Sequence, residues 1–182
     1  MSPSVRVRIE RPSFTEPTMK MSTPAVILDG VYSVASAGVR VVSLFKGRNV
    51  KHVAGTSPKL TKGQRTLSGA LAGIFSFGAA VSTASVIKRH QDPSMAPATE
   101  YTVARASDTE LELMSHARLA IVIQATRQLV RGRTDAGNYP LSRIGYAANG
   151  LTAVRAAYGL YENASELYRR ADTRKLKRAL GI

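Results

Sequence analysis

Apolar and polar positions alternate with a helical period over four long stretches of the chain, and with a period of two over one short stretch near the start. The most apolar stretch runs from Thr66 to Ile87, twenty-two residues without a charge, fenced by Lys62 and Arg65 before it and Lys88 and Arg89 after it. At about 1.5 Å per residue, a helix of that length reaches roughly 33 Å, enough to cross a bilayer's hydrocarbon core or to run the length of a small bundle. Its large residues are interleaved with Gly69, Gly73, Gly78, five alanines and six hydroxyl residues, so its hydrophobicity is marginal for insertion. Small residues recur at four-residue steps, Gly69 and Gly73 on one line and Ala72, Ser76, Ala80 and Ala84 on another. These are helix-packing positions, because they let a second backbone approach closely. The pattern predicts a helix over 66–90, either buried in a soluble bundle or crossing a membrane.

Three further helices follow from the same reasoning. Over 24–46, with Thr23 as cap and Pro24 at the first position, Ile27, Val31, Val34, Gly38, Val41 and Phe45 form one apolar face. Asp29 and Arg40 make this a weaker membrane candidate, although the two helices can form a hairpin. Over 108–131, Ser107-Asp108-Thr109-Glu110 reads as a capping box, and Leu111, Ser115, Leu119, Val122, Thr126 and Leu129 form a seam with Ile123 and Val130 beside it. Acids at the start of this helix and arginines at its end suit the helix dipole, so Asp108, Glu110 and Glu112 read as caps rather than a catalytic cluster. Over 141–172, Ile144, Ala147, Leu151, Val154, Tyr158, Tyr161, Ser165 and Tyr168 alternate steps of three and four. That is a heptad seam, in which Tyr158, Tyr161 and Tyr168 are the candidate interface residues.

The connections are marked by Gly, Pro and charge. Residues 1–23 hold Pro3, Pro12 and Pro17, with Val5, Val7 and Ile9 alternating with Arg6, Arg8 and Glu10, and are expected to form an extended or β basic N-terminal arm. Residues 24–172 make the helical domain and 173–182 a basic C-terminal tail. The fold class is mainly α, about four long helices arranged as a bundle or as extended helical hairpins. Leu28 to Ala37 and Leu71 to Ala80 echo one another at an offset of 43 residues, as a duplicated helix would.

Charge then narrows the partners. Twenty-six Lys and Arg against twelve Asp and Glu give a net charge of +14, which favours an acidic surface, nucleic-acid backbone or anionic membrane. The excess gathers in the loop between the first two helices (Lys46, Arg48, Lys51, Lys59, Lys62, Arg65) and near the end of the chain (Arg169, Arg170, Arg174, Lys175, Lys177, Arg178). These twelve are the candidate phosphate or anion contacts. The order of residues at Lys62-Gly63 does not match a phosphate-binding loop. The absence of cysteine excludes disulfides and thiol chemistry, and His52, His90 and His116 lie far apart, so no metal site is expected. No signature of a positioned acid, base or nucleophile is visible, and the chain is expected to be non-catalytic and to need no cofactor. Nothing from Met1 to Ser22 has the apolar core of a secretory signal.

Three functions remain. The leading expectation is a non-catalytic structural component of a larger assembly, a homo-oligomer of the virion-type internal or ejection kind contacting neighbouring subunits or nucleic acid. The alternative is a membrane-inserting helical hairpin of the pore-former or holin type, and the third is a non-specific nucleic-acid binder.

Overall fold

The computed structural model describes residues 23–91, 106–135 and 137–181, so the expected extended arm falls outside the described residues. Four helices account for most of the rest: α1 (Thr23–Lys46), α2 (Lys62–Gln91), α3 (Asp108–Arg131) and α4 (Arg143–Ala179). The fold is all-α. Among the described residues there is no β-strand, and three isolated bridges tie Arg48 to Lys59, His52 to Leu141 and Arg133 to Pro140.

Caps set the helix ends, and explain where they depart from the periodicity. α2 starts at Lys62, four residues before the expected Thr66, because the Thr61 hydroxyl accepts from the Gln64 amide at 3.3 Å while the Gln64 side chain accepts from the Thr61 amide at 2.9 Å. That is a second capping box. At α3 the expected box is present, with the Ser107 hydroxyl accepting from the Glu110 amide at 3.2 Å and Glu110 accepting from the Ser107 amide at 2.7 Å. α4 begins at Arg143 behind Ser142, whose hydroxyl accepts from the Gly145 amide at 3.1 Å. It runs to Ala179, past the expected end at Asp172, so most of the expected C-terminal tail is helix. Nothing from Thr173 to Leu180 breaks a helix, and Gly181 with φ of 69° follows the cap, where glycine tolerates the left-handed conformation.

α1 and α2 form one antiparallel hairpin, α3 and α4 another, and α1 against α4 joins them. The joint is locked at one end by the loop between α1 and α2. There the Ser142 hydroxyl donates to the Val50 carbonyl at 2.6 Å, the Ser142 amide to the Lys51 carbonyl at 2.9 Å, and the Val53 amide to the Pro140 carbonyl at 3.0 Å. His52 stacks on Tyr139 with ring centres 4.8 Å apart. Gly145 admits this loop: a Cβ there would stand 2.1 Å from the Lys51 carbonyl oxygen. Midway along the joint, Arg155 of α4 pairs with Asp29 of α1.

Inside each hairpin the helices meet through small and polar residues. On α1 and α2, a Cβ on Gly30 would lie 3.3 Å from the Ser82 Cβ and one on Gly78 would lie 3.2 Å from the Ser33 hydroxyl, while Tyr32 meets Phe75 edge-on at 5.9 Å. Between α3 and α4, Arg118 reaches the Gly159 carbonyl and the Asn163 side chain, Asn163 donates to the Leu111 carbonyl at 3.4 Å, and Asn149 donates to Gln128 at 3.0 Å. The buried face of α4 comprises Gly145, Asn149, Ala156, Gly159, Asn163 and Glu166. It lies on the far side of α4 from the expected heptad seam, one or two residues and so about 100–200° round from each seam position, and Ile144, Val154, Tyr161 and Tyr168 of that seam are exposed. The apolar face expected for α1 points outward too, with Ile27, Val31, Val34, Val41 and Phe45 all exposed.

Candidate functional site

The surface of the hairpins is the feature that calls for a function. Among the described residues, the buried hydrophobic side chains are ten, six of them alanine and only Leu111 and Leu141 larger than valine. Leu67, Ile74, Phe77 and Ile87 on α2 lie outside, with Phe77 73% exposed and Phe45 on α1 88% exposed. α1 and α2 are long and apolar enough to cross a membrane, over Pro24–Lys46 and Lys62–Lys88, yet only 17% and 11% of their most apolar windows are buried. A core helix of a water-soluble protein carries the opposite arrangement.

Of the small residues singled out on α2, Ala72 is buried in the hairpin, whereas Gly69, Gly73, Ser76, Ala80 and Ala84 are exposed. A Cβ on Gly69 or Gly73 would meet open space. The close approach inside the hairpin is made instead by Gly30 and Ser33 of α1 against Ser82 and Gly78 of α2, with Ser85 buried nearby on α2. Tyr158 is half-buried and Tyr161 and Tyr168 are exposed, with Tyr158 and Tyr161 rings 6.3 Å apart on the outer side of α4.

The basic candidates divide into two groups. At the locked end, Gly47, with φ of 61°, turns the chain so that a Cβ there would stand 3.1 Å from the Arg65 guanidinium, and the Leu60 amide donates to the Gly47 carbonyl at 2.7 Å. This brings Lys46, Arg48, Lys59, Lys62 and Arg65 to one tip, all exposed but for the half-buried Arg48. Lys51 points elsewhere. It is half-buried, and burial first, then the nearby Arg40 charge, pulls its ammonium below the usual lysine range. Burial first, and then the Lys51 charge, lower the His52 imidazole, whose Nδ1 is buried without a partner.

At the other end, three arginines are held by carboxylates. Glu166, whose side chain is excluded from solvent, accepts from Arg169 at 2.7 and 2.8 Å and from Arg170 at 2.8 Å. Arg170 also donates to the Ala106 carbonyl at 2.7 Å and to Asp108 at 2.8 Å, and Arg174 reaches Asp108 at 2.6 Å. Hydrogen bonds from Arg170 and Arg174 hold the Asp108 carboxyl below its usual range, and the bond from Arg169 does the same for Glu166. Through Arg170 and Arg174 the end of α4 is therefore clamped to the start of α3. Lys175, Lys177 and Arg178 lie exposed on the last turns of α4. No protein-family model, curated protein or solved structure matches the chain.

Proposed function

We propose that this is a non-catalytic membrane-inserting protein whose α1–α2 hairpin occupies the bilayer. The observation that carries the reading is the inverted hairpin: glycine, serine and alanine between the helices, Ile, Val, Leu and Phe on the outside. In water that arrangement leaves the apolar area unburied, at a cost of about 25 cal/mol per Å². In lipid it is the expected one, since small residues supply the interhelical packing and large ones face the acyl chains. The charge-free stretch of α2 matches a hydrocarbon core of about 30 Å, and basic residues flank it at both ends, at head-group depth. Asp29 is turned from lipid onto Arg155 of α4, as an intramembrane carboxylate requires. Between Ile144 and Tyr161, Arg155 is the one charge on α4, so this part of α4 can follow α1 into the apolar layer.

A second reading, a subunit of a larger assembly, draws on the exposed Tyr161 and Tyr168 of α4, large amphipathic rings suited to a protein interface. Fractionation after expression without detergent separates the two. Recovery in the membrane pellet after an alkaline wash is expected for the inserted hairpin. A soluble oligomer of defined size selects the assembly subunit, and a soluble monomer overturns both.

A further inference from the structure

Where the end of α1, the following loop and the start of α2 meet, a cavity of about 210 Å³ opens between Arg40, Lys51, Gln64 and Ser68, with Val39 and Leu67 among its apolar walls. A smaller cavity of about 50 Å³, toward α4, is also lined by Arg40 and Lys51, which therefore stand between the two. The residues from Thr23 to Gln91 include a single carboxylate, Asp29, and Arg155 engages it. Two half-buried cations thus share one cavity without a counter-charge among its lining residues. Such an arrangement opposes folding by desolvation and like-charge repulsion, and an anion placed between them reverses both effects.

We propose that this cavity is an anion-binding site for a phosphate group, held by the Arg40 guanidinium and the Lys51 ammonium with the Gln64 amide and the Ser68 hydroxyl as neutral donors. Arginine supplies a planar fork suited to phosphate and lysine a point charge. The apolar walls leave room for an organic substituent on the phosphate. Arg40 lies six residues before the end of α1, about 9 Å from it along the helix, so in an inserted hairpin the site sits at head-group depth. A phospholipid head group and a free phosphate or phosphate ester share this chemistry; only the lipid source rests on the membrane reading above.

The test uses the full chain in neutral detergent for equilibrium dialysis against labelled inorganic phosphate, and the reconstituted chain for flotation with phosphatidylcholine vesicles with or without phosphatidylglycerol. Removing one unit charge about 4 Å from an anion costs about fivefold in affinity even at the dielectric constant of water. Arg40→Gln and Lys51→Gln are each expected to weaken phosphate binding by at least about that factor. Loss of the preference for phosphatidylglycerol in the same variants supports the site and identifies the lipid as its source. Weakened phosphate binding with that preference intact supports the site and identifies a free phosphate. Phosphate affinity unchanged in both variants overturns the proposal. Lys51→Gln is further expected to raise the unfolding temperature in phosphate-free buffer, where the wild-type cations repel one another, and a lowered temperature there counts against it. A chain that binds phosphate but floats with no vesicle refutes the membrane reading while the site stands.

Discussion

At the scale of single residues, the architecture turns on positions where the absence of a side chain decides what can approach. Gly145 and Gly150 sit on the same helix, five residues apart. At Gly145 an added Cβ would collide with the Lys51 backbone, which cannot move without lifting the loop from Ser142; at Gly150 it would meet nothing within 4 Å. Gly145→Ala is therefore expected to lower stability by about 1–3 kcal/mol through overpacking, and Gly150→Ala to raise it by up to about 1 kcal/mol through helix propensity. Denaturant unfolding of the two variants checks the contrast, and equal effects would show that the loop is not seated on α4. Little in the sequence distinguishes these glycines. Gly145 lies within a helix whose apolar repeat passes through Ile144, and only the fold shows that the loop backbone rests one position further round.

Among the helices, periodicity located the elements well and their inward faces poorly. α3 coincides with its expected span, and α1 and α4 begin within two residues of theirs, because Pro24 and the Ser107–Glu110 pair are local signals read locally. The Thr61–Gln64 box was equally legible and accounts for the early start of α2. The inward faces depart from the seams of largest apolar residues that a water-soluble bundle would bury. Here the helices approach through glycine and serine. A pair of substitutions on α2 tests that orientation: Gly78→Leu drives a large side chain into Ser33 of α1, whereas Gly73→Leu projects into open space. The first is expected to destabilise the hairpin in neutral detergent by roughly 2 kcal/mol or more, and the second to leave it unchanged or slightly more stable. If Gly73→Leu instead disrupts an oligomer while the single chain stays folded, the outer glycine line is a contact between copies.

For the molecule as a whole, the two hairpins are held by different forces and should respond differently to acid. The only carboxylate between Thr23 and Gln91 is Asp29, which pairs across to α4, so the packing of α1 on α2 depends on no titrating group. The open end of α3 and α4 depends on three: Glu110 in the α3 capping box, and Asp108 and Glu166, which between them engage Arg169, Arg170 and Arg174. All three are depressed in the fold, Asp108 and Glu166 by these arginines and Glu110 by the bonds from Ser107. A depressed carboxyl binds protons more readily once unfolded, so its stabilising contribution is complete above the unfolded value of about 4 and is lost as pH falls through the folded one. Amide-exchange protection factors measured at pH 5.5 and pH 2.5 are expected to collapse over 108–118 and 163–179 in acid while persisting along α1 and α2. Glu166→Gln should show part of that loss already at pH 5.5, because the buried arginine contacts then face a neutral amide. Uniform loss of protection across all four helices would mean that the hairpins fold as one cooperative unit. Acid release confined to the clamp would leave the inverted hairpin, with its outward Ile, Val and Phe side chains, as the part of the fold that stands independently of charge.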